Sequence, residues 1–490
     1  MIWFHCLRLY LGSCISFFIL ICLAALMLAG SGARAADGDL AWQDAFDLGG
    51  GDNEARAVDL YGNQVFVAGA GSEGNWLVRA YASRGGRLLW QDVFDLGDLA
   101  SYALDIVAET NYVYTAGLSM KPSEDNIVWV VRANDVGNGS LLWQDVFDPD
   151  GNDTLAQAVD VSEDKVYVAG VGTNPLSMTD DWVVRTHDKM SGDLIWQDRF
   201  DPSEGDAGAN AIVVYGSRVF VAGGSTDHMT EGDWRIRAYD AGSGDLLWQD
   251  VFKVVGDGLE NQAYAIAALD KTVFAAGGVT IEGTYYWVVR AYDQETGGLV
   301  WQDQFDVELG PGARGITASG SMVFATGGSF NGASGTWIDR AYDAETGQIV
   351  WEGRLELSPL GDNDQGGRAI TFKEGRVYAA GNGFFDTEKW IVRAYDAGNG
   401  VVLWQDLFDL GEGDNIAFDI DAENNRVVAV GFGETSSFVD EWLVRAYEAR
   451  SIPVRTIPAL SQWGLIALAG VLGILGLLAV RRRETAQNRD

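Results

Sequence analysis

Two series of tryptophans alternate along most of the chain, and nothing else in the sequence constrains the fold as tightly. The first series opens a Trp-Gln-Asp unit with an apolar or aromatic tail, at Trp42, Trp90, Trp143, Trp196, Trp248, Trp301 and Trp404, with Trp351-Glu352-Gly353 as a variant. Its members are 48 to 53 residues apart. In the second series, Trp76, Trp129, Trp182, Trp234, Trp287, Trp337, Trp390 and Trp442 are each followed three residues later by arginine: Arg79, Arg132, Arg185, Arg237, Arg290, Arg340, Arg393 and Arg445. Together they use 16 of the 18 tryptophans. In all seven complete repeats a second-series Trp precedes the next first-series Trp by 14 residues, across a turn such as Asp343-Ala344-Glu345-Thr346-Gly347. A constant spacing across a glycine-bearing turn is that of a rigid β-hairpin.

The rest of each repeat also reads as strands. An Ala-rich segment such as Ala55-Arg56-Ala57-Val58-Asp59 is followed, after a tight turn, by a segment such as Val65-Phe66-Val67-Ala68-Gly69. The four strands are labelled A (Ala-rich), B (ending in Ala-Gly), C (Trp-x-x-Arg) and D (Trp-Gln-Asp). Four short strands per unit of about 52 residues mark a blade of a β-propeller. There are eight A-B-C sets, but the first D strand precedes the first A strand and the last set, ending at Tyr447, has none after it. The expected fold is therefore all-β: an eight-bladed propeller over 37–447, closed by its N-terminal strand (Trp42 to Phe46) beside Trp442 to Tyr447. A linear solenoid would leave that first strand as an unpaired edge.

The two ends read differently. Residues 1–35 have the pattern of a signal peptide, with Arg8, an apolar stretch from Leu11 to Ala29, and Ala33-Arg34-Ala35 as cleavage site. All three cysteines, Cys6, Cys14 and Cys22, lie in it, so the mature chain is expected to have no disulfide, thiolate nucleophile or Cys-ligated metal. After a linker (448–456), Gly464 to Val480 is an uncharged apolar run of 17 residues, followed by Arg481-Arg482-Arg483. This predicts one transmembrane helix over 464–480, with 484–490 cytoplasmic and the bulk of the chain outside. The net charge of −36 disfavours nucleic acid as a partner and favours cations and basic groups.

Two resemblances follow from these motifs. The tail Ile457-Pro458-Ala459-Leu460-Ser461-Gln462-Trp463-Gly464, its apolar run and its arginines resemble the IPTL type of bacterial C-terminal sorting signal, related to the PEP-CTERM class, with Ala459 where Thr is usual. That resemblance, over 457–483, implies a Gram-negative envelope protein handled by an exosortase-like protease, tethered to the inner membrane on the periplasmic side and then processed toward the outer membrane or cell surface. The repeat, best seen from Arg340 to Trp351, resembles the blades of pyrroloquinoline-quinone-type propellers over most of 39–447. It implies the fold and not the cofactor; many quinone dehydrogenases of that type use an adjacent Cys pair, which the mature chain lacks.

Residues present in every blade do what every blade needs. The eight arginines and the recurring Asp are therefore read as packing groups, each Arg reaching its own blade's Trp or Asp. Function is expected where blades differ. The span from a D-strand Trp to the next C-strand Trp varies from 34 to 39 residues and holds the D–A and B–C loops, which emerge on one face. The D–A loops carry Asp52, Asp98, Asp150, Asp153, Asp206, Asp257, Asp362, Asp364 and Asp414, expected to ring the channel mouth as a ligand-binding surface. The run from Asp148 to Asp153 is oxygen-rich, so Asp150, Asn152 and Asp153 are a candidate calcium site. It lacks an EF-hand's spacing and bidentate Glu, and the competing reading is that Asp, Asn and Gly simply form turns. No other cofactor is expected. His187 takes the place of a usual strand-C Tyr and His228 lies in a B–C loop; a lone His at either is expected to be a surface residue. No catalytic constellation stands out. The expected function is a non-catalytic envelope binding or scaffold propeller whose partner is a polysaccharide or another envelope protein. The alternatives are a carbohydrate-active hydrolase or lyase using paired carboxylates, and a structural component of a surface assembly.

Overall fold

Period-two alternation sends the side chains of each strand C to two different neighbours. In blade 1, Trp76, Val78 and Ala80 pack with Phe66 and Ala68 against Ala103, Ile106 and Val113 of blade 2. On the other face, Leu77 and Tyr81 meet Trp42, Val428 and Trp442 of blade 8. Repeated around the chain, this divides the described core into eight apolar clusters, one at each interface between consecutive blades. The structure is a computed structural model that describes residues 36–449 except 48–52, 72–73, 97–99, 122–125, 150, 202–204, 228–230, 254–260, 333, 359–363, 412 and 436–438. The expected signal peptide, sorting motif and apolar run lie outside the described residues. Among those described, no helix is long and apolar enough to cross a membrane.

Each blade is an antiparallel sheet in the order A-B-C-D. Blade 1 comprises Glu54–Tyr61, Gln64–Gly71, Asn75–Ala82 and Leu88–Phe94. Blades 5 and 6 are also joined by a single parallel bridge, Glu308 to Phe330. Every strand A touches the A strands of the blades on either side, and the last (Asn415–Glu423) touches the first, so the sheets form a closed β-propeller with strand A at the axis.

Closure is as the strand count requires. Leu40–Phe46 pairs with Asp440–Glu448 of blade 8, with Trp42 opposite Ala446 and Phe46 opposite Trp442. The two chain ends reproduce the C–D turn found elsewhere. Gly38 N–H donates to Glu448 O (2.8 Å) and Glu448 N–H to Asp39 O (2.9 Å), as Gly244 does to Asp240 and Asp240 to Asp245 within one turn. Gly38 has φ +81°, and a Cβ there would stand 2.5 Å from Cγ of Trp404, so only glycine fits. The Ala-Gly ending of strand B has a similar cause. At all eight positions a Cβ would stand 1.8–2.1 Å from a strand-A carbonyl, and at seven it would also meet the strand-C Trp of the preceding blade.

The arginines correct one expectation. Each turns away from its own blade's Trp and Asp toward the blade before it. Seven of them lie 2.7–3.3 Å from the Asp of that blade's Trp-Gln-Asp: Arg79 to Asp44, Arg132 to Asp92, Arg185 to Asp145, Arg237 to Asp198, Arg290 to Asp250, Arg340 to Asp303 and Arg445 to Asp406. The same seven guanidinium groups sit 3.6–4.3 Å over the strand-D Phe two residues beyond that Asp. The reason is the pleat. Arg and the Tyr two residues later share a face, and that face is turned to the preceding blade. Tyr81, Tyr239, Tyr292, Tyr342 and Tyr447 donate to the same carboxylates. His187 occupies the Tyr place in blade 3. Contrary to expectation it is fully buried, 3.7 Å from Asp145 and stacked on Trp143, and burial lowers its pKa.

Blade 6 is the exception that explains itself. Its Trp351-Glu352-Gly353 has no Asp, yet Arg393 and Tyr395 of blade 7 still find a carboxylate. It comes from Asp339, directly opposite Gly353 across the C–D pair, at a place that is Val or Ile in the other seven blades. Asp339 is fully buried, accepts from Thr326 Oγ1 (2.7 Å), Trp337 Nε1 (2.8 Å) and the Tyr395 hydroxyl, and lies 3.7 Å from Arg393. The carboxylate has crossed to the neighbouring strand, and the missing side chain at Gly353 leaves the room in which Tyr395 reaches it.

Two outcomes are expected. Removing residues 37–47 deprives blade 8 of strand D and Arg79 of Asp44, and the melting temperature should fall sharply; an unchanged value would mean that the ring does not depend on this closure. Asp339→Asn should cost about 3–5 kcal/mol in equilibrium denaturation, as for other broken buried pairs. Asp339→Val combined with Gly353→Asp, which restores the arrangement of the other blades, should recover most of that loss; equal instability of the two variants would refute the exchange.

Candidate functional site: the inner strands and the loop face

Strand A hydrogen-bonds to strand B along one edge only. Its other edge, at the axis, presents N–H groups that no strand satisfies, and such groups need acceptors. In four consecutive blades aspartates supply them. Asp105 accepts from the N–H of Ile106 (2.8 Å) and, with its other oxygen, from Val159 of the next blade (2.7 Å). Asp160 does the same with Val161 and Val214 (2.7 Å each), and Asp419 with Ile420 (2.8 Å) and Val58 (2.9 Å). Asp59 accepts from Ala108 (2.6 Å) and Asp421 from Leu60 (2.9 Å). Each is a clasp from one inner strand to the next, running from blade 8 through blades 1 and 2 to blades 3 and 4.

Blades 4 to 7 have no such carboxylate. The equivalent places hold Ala211 and Val213, Ala265 and Ala267, Gly315 and Thr317, and Ala369 and Thr371. The inner wall is therefore polarised. Burial, opposed by the backbone donors, pushes Asp105 up to about 7 and Asp160 and Asp419 up to about 6. Asp59 and Asp421 are both raised, chiefly by burial, and a hydrogen bond joins the two carboxyls. The repeat pattern does not single out these five. The available signal was an Asp in an otherwise apolar strand in only some repeats.

Four of the nine aspartates expected on the loop face can be placed; Asp52, Asp98, Asp150, Asp257 and Asp362 lie outside the described residues. Asp153, Asp206 and Asp414 are all exposed. Asp153 accepts from the N–H of Ile127 (2.8 Å) and Asp206 from that of Asp180 (3.0 Å), each at the start of the preceding blade's strand C. These two carboxylates thus sit over the third strand rather than converging on the channel mouth. Asp364, by contrast, is gripped by Arg314 and Arg368, both from strand A, and they hold its pKa below the usual range. In the candidate calcium run, Asp148 pairs with Lys121 and accepts from the N–H of Gly151 (3.1 Å), a turn-forming contact. Among the described residues, no group of three or more His, Cys, Asp or Glu is placed to hold a metal ion. The opposite face is uniform: in the C–D turns Asp135, Asp188, Asp240, Asp293, Asp343 and Asp396 accept from backbone N–H groups two or three residues on.

These shifts define a pH dependence. The inner carboxyls titrate above their unfolded value of about 3.8, so the stability they confer is complete below that value and is lost as pH rises through about 6 to 7. The turn carboxyls Asp188, Asp240, Asp293 and Asp343 are lowered by their backbone and hydroxyl donors, so their contribution disappears only below about pH 4. The melting temperature should therefore rise as pH falls from about 8 to about 5 and drop again below about 4. Asp105→Asn should flatten the upper limb; a curve that rises steadily to pH 8 would contradict the assignment.

No curated protein sequence matches this chain. The fold is similar to that of the quinohemoprotein alcohol dehydrogenase from Pseudomonas putida HK5 (TM-score 0.57, 12% identity, 84% of this chain and 76% of that one). It is also similar to a europium-containing methanol dehydrogenase (0.53, 11%, 84% and 93%). Chaetomium thermophilum Sqt1, bound to the N-terminus of the ribosomal protein L10, aligns as well (0.50, 12%, 85% and 100%). At such identities the likeness concerns the fold alone. Residues 456–483 match the IPTL-CTERM motif, which points to export to the cell envelope and processing by a sorting enzyme. Segments 128–281 and 287–433, together more than half the chain, match the PQQ-type repeat family described as outer membrane protein assembly factor BamB, and the chain belongs to that family.

Proposed function

We propose that this chain is a non-catalytic binding or scaffold propeller of the cell envelope, tethered by a helix over 464–480 until a sorting protease acts on its tail, and that it holds an envelope polysaccharide or protein on its D–A and B–C loop face. The observation that carries this reading is the contrast between the two faces. On one, six C–D turns are committed to the same aspartate-to-backbone contacts; on the other, loops differ from blade to blade and carry exposed carboxylates at Asp153, Asp206 and Asp414. Surface loops on a rigid scaffold are where propellers of this shape bind partners.

The inner carboxyls have the raised pKa that acid catalysis requires, but their oxygens are engaged by backbone N–H groups, which supports a structural role for them. The chain also fits a quinone cofactor poorly. The strand-A arginines that could meet an anionic cofactor are already matched to acids: Arg314 and Arg368 to Asp364, and Arg56 to Glu54.

The test is binding of the full-length chain to purified envelope polysaccharide from a Gram-negative host, measured by biolayer interferometry. Asp153→Asn, Asp206→Asn and Asp414→Asn together keep an acceptor oxygen at each place and remove the charge. An affinity weakened about tenfold at an unchanged melting temperature is expected. Equal binding by the triple variant would move the site off this face. A rise in melting temperature specific to calcium, absent with sodium at matched ionic strength, would favour cation binding at 148–153 instead.

A further inference from the structure

Eight repeats allow each blade to be judged against the others. Just beyond the strand-B glycine, at the loop-face end, strands A and B place two residues directly opposite each other: Glu54 and Ala70, Tyr102 and Leu118, Leu155 and Val171, Ile416 and Phe432. In blade 4 both are glycine, Gly208 and Gly224. Blade 6 also has a glycine pair, Gly312 and Gly328, but Gln365 and Pro311 press on Gly328, 2.5 and 3.2 Å from where its Cβ would be. In blade 4 Asn261 O and Gln262 Cγ likewise crowd Gly224, each 2.9 Å from where its Cβ would be, but Gly208 has only Val171 Cγ1 near it and borders a cleft of about 210 Å³ between blades 3, 4 and 5.

Its walls are polar and fixed. Asp206 spends one oxygen on the Asp180 N–H (3.0 Å) and Asp180 spends one on the Thr173 hydroxyl (2.7 Å), leaving a second acceptor on each. Asn210 donates to Gln262 Oε1 and Ala263 O (3.0 Å each), which leaves its own oxygen and the Gln262 amide for a ligand. Ser225, only 5% exposed, accepts from Arg235 Nε (3.1 Å) and Nη2 (3.0 Å), so its hydroxyl proton is available to donate. Arg235 is itself peculiar to this blade: the other seven have Leu, Val or Ile there. Acceptors at Asp180, Asp206 and Asn210 thus face donors at Ser225 and Gln262 in one cleft.

We propose that this cleft is a subsite for one sugar unit of a polysaccharide, an inference that rests on the loop-face reading above and names its ligand class. A sugar hydroxyl both donates and accepts, and so satisfies the mixed set. An ammonium group only donates, and would leave the Ser225 hydroxyl and the Gln262 amide without acceptors in a partly dry site. The absence of a side chain at Gly208 lets a ring approach the backbone.

The test is a titration of the full-length chain with glucose, galactose and N-acetylglucosamine, and separately with methylammonium, read by saturation-transfer NMR. At least one sugar should bind saturably and methylammonium should not. Gly208→Leu restores the side chain that blade 3 carries at Leu155; its Cβ meets only Val171 Cγ1, at 2.9 Å, and it should weaken sugar binding at least about tenfold. Should Gly208→Leu fail to fold by its melting temperature, Ser225→Ala, which adds no bulk and removes one donor together with the acceptor of Arg235, should weaken binding severalfold. Saturable binding of methylammonium alone, no sugar binding, or sugar binding indifferent to the variants would each overturn the subsite. Polymer bound on the loop face while the free sugars and both variants show nothing would sink the subsite and leave the function standing. Loss of polymer binding with the cleft still taking a sugar would do the reverse.

Discussion

The ring depends on an arginine that no blade can satisfy by itself. Eight guanidinium groups, each 4–7% exposed, are withdrawn from water, and a buried charge is tolerated only with a partner and hydrogen bonds. One partner is always a carboxylate of the preceding blade, joined for Arg340 by Glu352 of its own, and in seven blades an aromatic ring from the preceding blade's strand D covers the guanidinium. The blade is therefore a unit of repetition but not of stability. The N-terminal strand shows the consequence most directly. It completes blade 8 as a fourth strand, and through Asp44 it also neutralises Arg79 of blade 1. One seven-residue segment closes both the sheet and the charge network.

Blade 6 shows that the constraint applies to the carboxylate and not to the residue that bears it. Losing the Asp of Trp-Gln-Asp would strand Arg393 and Tyr395, and the structure keeps the charge within reach by moving it one strand inward, to Asp339. Every interface has thus kept its acid while the local sequence drifted. Such exchange is possible because the sites face each other across a C–D pair, a few ångströms apart.

Against this uniform scaffold, two asymmetries stand out. The inner strands carry aspartate clasps on one half of the ring only, so the axis is acidic on one side and apolar or hydroxylated on the other. Blade 4 gives up two side chains and gains a buried arginine, and the result is a polar cleft at the loop face. The dehydrogenases that share this fold put redox chemistry on it. This chain has the same frame with a differently charged axis, which is consistent with function residing in sites grafted on a fold.

What the sequence determined by itself was the periodic part: the strand types, the count of eight, the closure by the first strand and the structural character of the arginines. These were legible because tryptophan spacing and period-two patterning are local, and local pattern is what a sequence displays. Only the tertiary structure decided which neighbour each side chain meets. The pleat and the order of the blades send Arg79 backward to Asp44, bury His187, turn Asp153 and Asp206 over strand C, and set Asp105 against the N–H of a residue 54 positions away. The cleft in blade 4 lay between these cases. Its two glycines were visible in the repeat, but that they face each other, and that the space beside Gly208 stays open, is a fact of packing between three blades.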